Sequence, residues 1–293
     1  MWYHSIEIME GSIFITGADG FLGRSVAGRL SARGVQPVTL ARKEGADILS
    51  PRSYADSLKG CHTVVHLAAL TGKRAPSDYF RVNRDGTGVL LTEAARAGVQ
   101  RFIFVSSIAA KFQDQSHYPY AQSKLQAEEL VRTSNIPWTI VRPTMIFGKG
   151  SPVLAGLARL ASLPVIPLFG DGKVRVQPVD VGDLAEVLIA ILDDEMLESC
   201  TLEIGGPEVV TMENLMQSIR VAKLGQEGKV MHLPIGPIAA CLALMEPLLR
   251  PVLPFTAGQL ASFRNEGAAA PDPWIERHRP GLKTIKEMLR DAA

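Results

Sequence analysis

From Ser12 to about Arg142 the chain alternates short β-branched apolar runs with longer amphipathic stretches. That alternation predicts a parallel sheet covered by helices. Strands are expected at Ser12 to Thr16, Gln36 to Ala41, Thr63 to Leu67, Arg101 to Ser106 and Trp138 to Arg142. Helices are expected at Phe21 to Arg33, Pro51 to Leu58, Ser77 to Ala97 and Pro119 to Thr133. Pro119 suits a first helical position, where a missing N–H costs nothing and φ is already helical. Continuous apolar runs such as Phe102-Ile-Phe-Val105 predict strands buried on both faces.

Beyond Pro143 the texture changes, because prolines at 152, 164, 167, 178, 207, 234, 237, 247, 251 and 254 cut the chain into shorter units. This half is expected to cover a substrate. Within it Asp183 reads as the N-cap of a helix from Leu184 to Leu192, and Thr211 with Asn214 as the opening of another. The most apolar stretch, Ile235 to Leu249, is interrupted by Pro237, Glu246 and Pro247. It falls short of the ~18 to 20 residues that span a bilayer, so a buried or lid helix is expected and no transmembrane segment.

Composition narrows the function classes. The 293 residues are 46% hydrophobic and 21% charged, with 31 Lys and Arg against 30 Asp and Glu, a formal charge of +1. Such a chain can bury a substantial core and has no basic field to recruit nucleic acid, which is not expected as a partner. Cys61, Cys200 and Cys241 are odd in number and far apart, which argues against a disulfide framework or a zinc site and fits a reducing, cytoplasmic setting. The first ten residues do not have the pattern of a secretory signal and read as the start of a tail covering residues 1–11.

The apolar run Ser12 to Thr16 is followed directly by Gly17-Ala-Asp19-Gly20-Phe21-Leu22-Gly23 and then by helix-patterned sequence. Strand, glycine turn and helix in that order suit a dinucleotide, since a helix N-terminus offers free N–H groups to a pyrophosphate and glycines let the backbone approach it. The spacing is GxxGxxG. At the end of the second strand, where an acid would bind a ribose hydroxyl, the chain has Arg42, and Arg24 follows the last glycine. Both cations favour the 2′-phosphate of NADP, with NAD as second choice. Asp47 with Ile48, and His66-Leu67-Ala68-Ala69, would border the adenine and ribose-phosphate region.

Candidate chemistry lies further on. Ser107 follows the fourth strand, and Tyr120 and Lys124 are four positions apart on one helical face. A phenol with an unperturbed pKa near ~10 needs a nearby positive charge to exchange a proton at neutral pH, and Lys124 supplies one. Ser107 would hydrogen-bond the substrate oxygen as its charge changes. Tyr118 is a weaker candidate because Gln122 stands four positions on, and Ser106 competes with Ser107. Asn83 reads as a backbone-binding residue, and His66 as a satisfied buried histidine. His62, His117 and Asp180 lack metal-ligand spacing.

Gly17-x-x-Gly20-x-x-Gly23, Ser107 and Tyr120-x-x-x-Lys124 resemble the short-chain dehydrogenase/reductase superfamily. His66-Leu-Ala-Ala69, Val82-Asn83-Arg-Asp-Gly86-Thr87, Arg101 to Ser107, Val141 to Gly148 and Val179 to Ala185 resemble its extended or atypical branch, the NAD-dependent epimerase/dehydratase-like proteins. The likeness runs from about Ile13 to Pro207. It implies an α/β fold, a Rossmann-type doubly wound parallel sheet with a smaller C-terminal substrate-covering region. The core would occupy residues 12–150, and residues 151–293 would complete it and form the substrate lobe.

By the same resemblance Tyr120 is the general acid/base, Lys124 its partner and Ser107 the substrate-orienting hydroxyl. Tyr120, Lys124, Asn83, Val105, Pro143, Thr144 and Ile146 would face the cofactor. Hydride transfer on a carbonyl or carbinol carbon of a small molecule follows, with nucleoside-diphosphate sugars as the expected substrate class. Reductase or epimerase is preferred to dehydratase, since Ile108-Ala109-Ala110 supplies no extra acid. The segment Gly170 to Asp183 also resembles the atypical group related to the nucleotide-binding accessory subunit of respiratory complex I. That group leaves a non-catalytic NADP(H)-binding scaffold or redox sensor as the alternative. RNA binding enters only by analogy to atypical relatives. A homodimer through the helices Ser77 to Ala97 and Pro119 to Thr133 is the usual arrangement in the superfamily.

Overall fold

The computed structural model describes residues 12–40, 47–194, 196–249, 258–278 and 281–292. The tail at 1–11 and Arg42 lie outside the described residues. Six strands form the main sheet: β1 (Ser12–Thr16), β2 (Val38–Leu40), β3 (Cys61–His66), β4 (Arg101–Val105), β5 (Trp138–Pro143) and, later in the chain, β10 (Cys200–Ile204). Their spatial order is β10-β5-β4-β3-β1-β2, and all pairings are parallel. The chain crosses over between β1 and β3. Ligands of open α/β sheets bind at such a switch point, beyond the carboxyl ends of the strands.

The period of two along each strand divides the core into layers. Ile13, Ile15, Ile103 and Val105 pack on one face with α1 (Phe21–Ala32) and the apolar helix α6 (Val181–Asp193). Phe14, Phe102 and Phe104 point to the other face, against Leu90, Ala127 and Val131. These last belong to α3 (Gly86–Ala97) and α4 (Pro119–Arg132), while α2 (Pro76–Tyr79) precedes α3.

The C-terminal half adds shorter elements: β6 (Ile146–Phe147), α5 (Pro152–Ala161), β7 (Val165–Phe169), β8 (Arg175–Val176) and β9 (Val179–Asp180). After β10 come β11 (Val210–Thr211), α7 (Met212–Leu224), β12 (Lys229–Leu233), α8 (Ile235–Leu249), α9 (Pro273–His278) and α10 (Ile285–Ala292). Phe147, Leu157, Ile166, Leu168, Met216 and Met288 form a separate core for this half.

Several expected elements are corrected. The expected helix Pro51 to Leu58 is two 3-10 turns, Pro51–Ser53 and Ala55–Leu58. The Ser53 hydroxyl donates to Ser50 O at 2.7 Å, a local bond that competes with helix propagation. The expected helix from Ser77 starts at Pro76 and widens into a π-helical turn over Phe80–Asp85 before continuing as α3. The cap of α6 is Asp180, whose carboxylate accepts the N–H groups of Gly182 and Asp183 at 2.8 and 3.3 Å. Asp183 lies inside the first turn and accepts the Lys283 N–H at 2.7 Å. Thr211 caps α7 through the Asn214 N–H at 3.2 Å, and Pro119 opens α4, as the sequence predicts. The second strand is shortened to Val38–Leu40, and the third begins at Cys61 and ends at His66.

The apolar stretch at 235–249 forms α8, and among the described residues no helix is long and apolar enough to cross a membrane. Burial, however, is not its main property. Ala239 is buried, whereas Leu244 is 80% exposed.

Candidate active site

The glycine turn sits at the end of β1, facing the end of β3. Gly17 has φ +71°, a left-handed conformation that favours glycine. A Cβ there would lie 2.8 Å from the Ala68 backbone, and one on Gly23 would lie 2.0 Å from Gly17 O. The turn is closed by Gly17 N–H to Leu40 O at 3.0 Å and Gly20 N–H to Gly17 O at 2.9 Å. Gly20 caps α1 without any side-chain bond, and the first turn carries no acid. A close-packed glycine loop opening an uncapped, acid-free helix fits a dinucleotide phosphate.

Other expected cofactor positions fall around this cradle. Phe21 and Leu22 begin α1, and Leu22 is buried in the core beside Val26. Arg24 is exposed, with Nη1 donating to Asp19 O at 2.6 Å. Leu67, Ala68 and Ala69 follow β3, and Ala68 abuts Gly17. Asp47 accepts the Leu49 N–H at 3.0 Å, and Ile48 is buried against Gly86, so both side chains are engaged within the fold. Pro143 ends β5; Thr144 donates its hydroxyl to Gln177 O, and Ile146 pairs with Val179.

A second group gathers at the end of β4 and the start of α4. Tyr120 packs against the turn that Ser107 caps, with Ile108, Ala109 and Phe112 around it, and its phenol lies near the Ser107 hydroxyl. Ser107 Oγ accepts the Ala109 N–H at 3.2 Å, as the cap of a short 3-10 turn. Tyr120 is framed by aromatic rings, Tyr79 at 6.1 Å and Tyr118 at 5.8 Å, and Phe112 stacks on Tyr118 at 6.4 Å. Burial pushes the Tyr120 phenol up; the nearby Ser107 hydroxyl opposes this and Tyr79 adds to it. The phenol is therefore protonated at neutral pH.

Lys124 is buried. Its ammonium donates to Val105 O at 2.7 Å and lies 4.1 Å from the Phe104 ring centroid. Burial lowers its pKa to about 7, and the Glu128 carboxylate opposes that fall. In this arrangement the ammonium is engaged by Val105 and Phe104, and the protonated phenol responds to burial, Ser107 and Tyr79.

Thr16, Thr87 and Ser123, to which the sequence reading gives no role, connect the two groups through His66 and Asn83. Thr16 Oγ1 lies 2.7 Å from His66 Nδ1, and Thr87 Oγ1 lies 2.9 Å from His66 Nε2. Thr87 donates to Asn83 O at 2.6 Å, so its oxygen accepts from His66 Nε2–H. His66 Nδ1 then accepts from Thr16, which in turn accepts the Ala68 N–H at 3.1 Å. This ordering needs a neutral ring, consistent with burial holding the His66 pKa well below the usual histidine range and the Lys124 charge adding to that effect. Asn83 binds both backbone groups of Leu70, at 2.6 and 3.1 Å, and donates to Ser123 Oγ at 3.0 Å. Ser123 donates to Tyr120 O at 2.8 Å. One buried chain thus runs from the cofactor cradle to the helix of Tyr120. The available sequence signal was His66 itself, a polar residue in an apolar strand that needs two partners.

Glu128, one helical turn beyond Lys124, is also buried. It accepts Arg142 Nε and Nη2 at 2.9 and 2.7 Å and Arg132 Nη2 at 2.7 Å. Burial pushes its carboxyl up, but the Arg142 and Arg132 bonds outweigh that and hold it below its ordinary value. Glu203 continues the array, 3.6 Å from Arg142 and bonded to Lys111.

Comparison with known proteins places this geometry. A "Ceramide reductase" of Caulobacter vibrioides is 32% identical over 252 residues, covering 81% of this chain and 78% of that protein. A UDP-glucose 4-epimerase of Vibrio cholerae is 27% identical over 250 residues, covering 73% and 76%. Among solved structures, that of gox2253 superposes with a TM-score of 0.75 at 23% identity over 96% of both chains. The UDP-glucose 4-epimerase of Thermotoga maritima gives 0.71 at 18% identity, over 96% of this chain and 97% of that one. The latter two likenesses concern the fold, the parallel Rossmann-like sheet. The model of the NAD dependent epimerase/dehydratase family matches residues 13–205, and the chain belongs to that family, within the extended short-chain dehydrogenase/reductase superfamily.

Proposed function

We propose that the chain is an NAD(P)H-dependent reductase of a lipid-like ketone, an N-acylated amino ketone that is the oxidised counterpart of a ceramide-type alcohol. The observation that carries the reading is the placing of Ser107 beside the Tyr120 phenol inside a wall of Tyr79, Tyr118 and Phe112. A protonated, half-buried phenol is the acid that ketone reduction needs. An aromatic wall offers apolar surface to an alkyl-bearing substrate.

The bound dinucleotide supplies the hydride. Ser107 hydrogen-bonds the carbonyl oxygen, and Tyr120 gives its proton to that oxygen as the carbon is reduced, leaving a phenolate. Lys124, one turn along the same helical face, stabilises the phenolate by its charge until solvent returns the proton. Glu128 favours the charged form of Lys124. Asn83, through Ser123, fixes the turn that carries Tyr120. NADPH is favoured over NADH by Arg24 and by Arg42 at the end of the second strand.

The similarity to the Caulobacter ceramide reductase supports this substrate class. A nucleoside-diphosphate sugar, the class first expected, needs free cations for its diphosphate. Lys111, Arg142, Arg175 and Arg264 are each paired with a carboxylate. A non-catalytic scaffold has no use for a hydroxyl set beside a protonated phenol. The test is turnover of the purified chain with NADPH or NADH, on an N-acyl amino ketone against a panel of UDP-sugars. Oxidation of the cofactor only with the ketone supports the proposal, and interconversion of UDP-sugars without net cofactor oxidation rejects it.

A further inference from the structure

The helix α8 has an environment that its sequence does not explain if water surrounds its outer side. Over 15 residues it carries one charged side chain, Glu246. A helix that is apolar all round is stable where apolar material lies on more than one side. One side is covered within the chain: Ala239, Ile238 and Leu242 pack on Phe169, Leu260 and Phe263. Leu244 is not covered and is 80% exposed.

The exposed apolar surface continues onto the neighbouring strand pair. In the β7 and β12 register, Val165, Pro167 and Phe169 stand opposite Lys229, Met231 and Leu233. These six positions share one face, by the period of two. Phe169 and Leu233 lie under α8, while Val165 and Met231 are 39% and 49% exposed. The face holds no acid, and the exposed Lys229 ends it. An apolar centre with a cation at its border complements hydrocarbon beneath an anionic headgroup layer.

The same surface leads to the active site. Leu260 and Phe263 belong to the 3-10 segment Gly258–Phe263. A Cβ on Gly258 would lie 2.7 Å from His117 O and 2.9 Å from the Tyr118 ring, so this segment abuts Tyr118. Tyr118 in turn borders Tyr120. The Gly258–Phe263 segment and Tyr118 therefore lie in turn between α8 and the proposed acid.

We propose that α8 and the outer face of the β7 and β12 pair rest on a lipid bilayer, from which the substrate enters toward Tyr120. This rests on the lipid substrate proposed above. At 15 residues α8 is too short to span, so it lies in the interface rather than crossing it.

The test is flotation of the full chain with vesicles of phosphatidylcholine, alone and mixed with phosphatidylglycerol. The wild-type chain is expected to float with both and more completely with the anionic mixture. Leu244→Glu and, on a separate element, Met231→Lys should each weaken flotation by about tenfold or more, the loss implied by withdrawing one large apolar side chain. Thermal melting and turnover of a short-chain, water-soluble ketone should stay at wild-type levels in both. Absence of wild-type flotation overturns the proposal, as does unchanged flotation of both variants. A wild-type dimer that Leu244→Glu converts to monomer without altering flotation overturns it in favour of a second copy on this face. Flotation is read without turnover, so a chain that floats but reduces no ketone rejects the substrate reading and leaves the surface assignment standing.

Discussion

Ser107 stands beside the Tyr120 phenol across the gap between the end of β4 and the first turn of α4. This pairing sets a strand-end hydroxyl beside a phenol that burial keeps protonated. Tyr120→Phe removes only the acidic O–H and leaves the ring packing with Tyr79 and Tyr118. Turnover should fall by about 10² to 10⁴. Cofactor affinity, read by fluorescence titration, should change by less than about threefold, because no cradle contact is lost.

Gly17 tests the cradle. At φ +71° and with the Ala68 backbone 2.8 Å from any added Cβ, Gly17→Ala is strained twice. The conformational part alone costs roughly 1 to 2 kcal/mol. Cofactor titration and thermal melting should both show the loss. Gly28, which has open space around it, should accept alanine with cofactor affinity unchanged.

The buried chain through His66 gives a more specific outcome. Thr87→Val removes the hydroxyl that accepts from His66 Nε2–H and donates to Asn83 O. Leaving such buried groups unpaired costs about 1 to 3 kcal/mol. Melting temperature and turnover of the folded enzyme should both fall, and Thr87→Ser should restore both. Equal loss in the serine variant would show that the methyl group, not the hydroxyl, matters.

Lys124 makes stability depend on pH. Its pKa is about 7 in the folded chain against 10.5 for an ordinary lysine, so between those values the unfolded chain binds more protons. Stability should therefore rise with pH across that window, and the contribution is lost as pH falls through about 7. Denaturant unfolding of Lys124→Met should lack this rise and show a gain over wild type that is largest at the acid end. Its turnover should nonetheless be abolished.

Much of this was legible in sequence, and for identifiable reasons. The β1 run, the glycine turn and Pro119 are local signals, and each formed the element expected of it. Ser107 and Tyr120 were legible because one ends a strand and the other opens a helix. The cap of α6 was misplaced by three residues because Asp180 and Asp183 are equally good caps until the chain path is known. The partners of His66 lie 50 and 21 residues away along the chain, separations that no local pattern encodes. The engagement of Lys124 by Val105 O belongs to the same class, since helical spacing aligns side chains but does not choose their partners.

The most direct test is isotopic. The wild-type chain would be incubated with NADPH deuterated at the transferring position and an N-acyl amino ketone, and the product analysed by mass spectrometry. The expected product is the corresponding alcohol carrying one deuterium on the carbinol carbon, formed in step with cofactor oxidation and absent with Tyr120→Phe. Recovery of unlabelled ketone with the cofactor bound but unspent would contradict ketone reduction at this site.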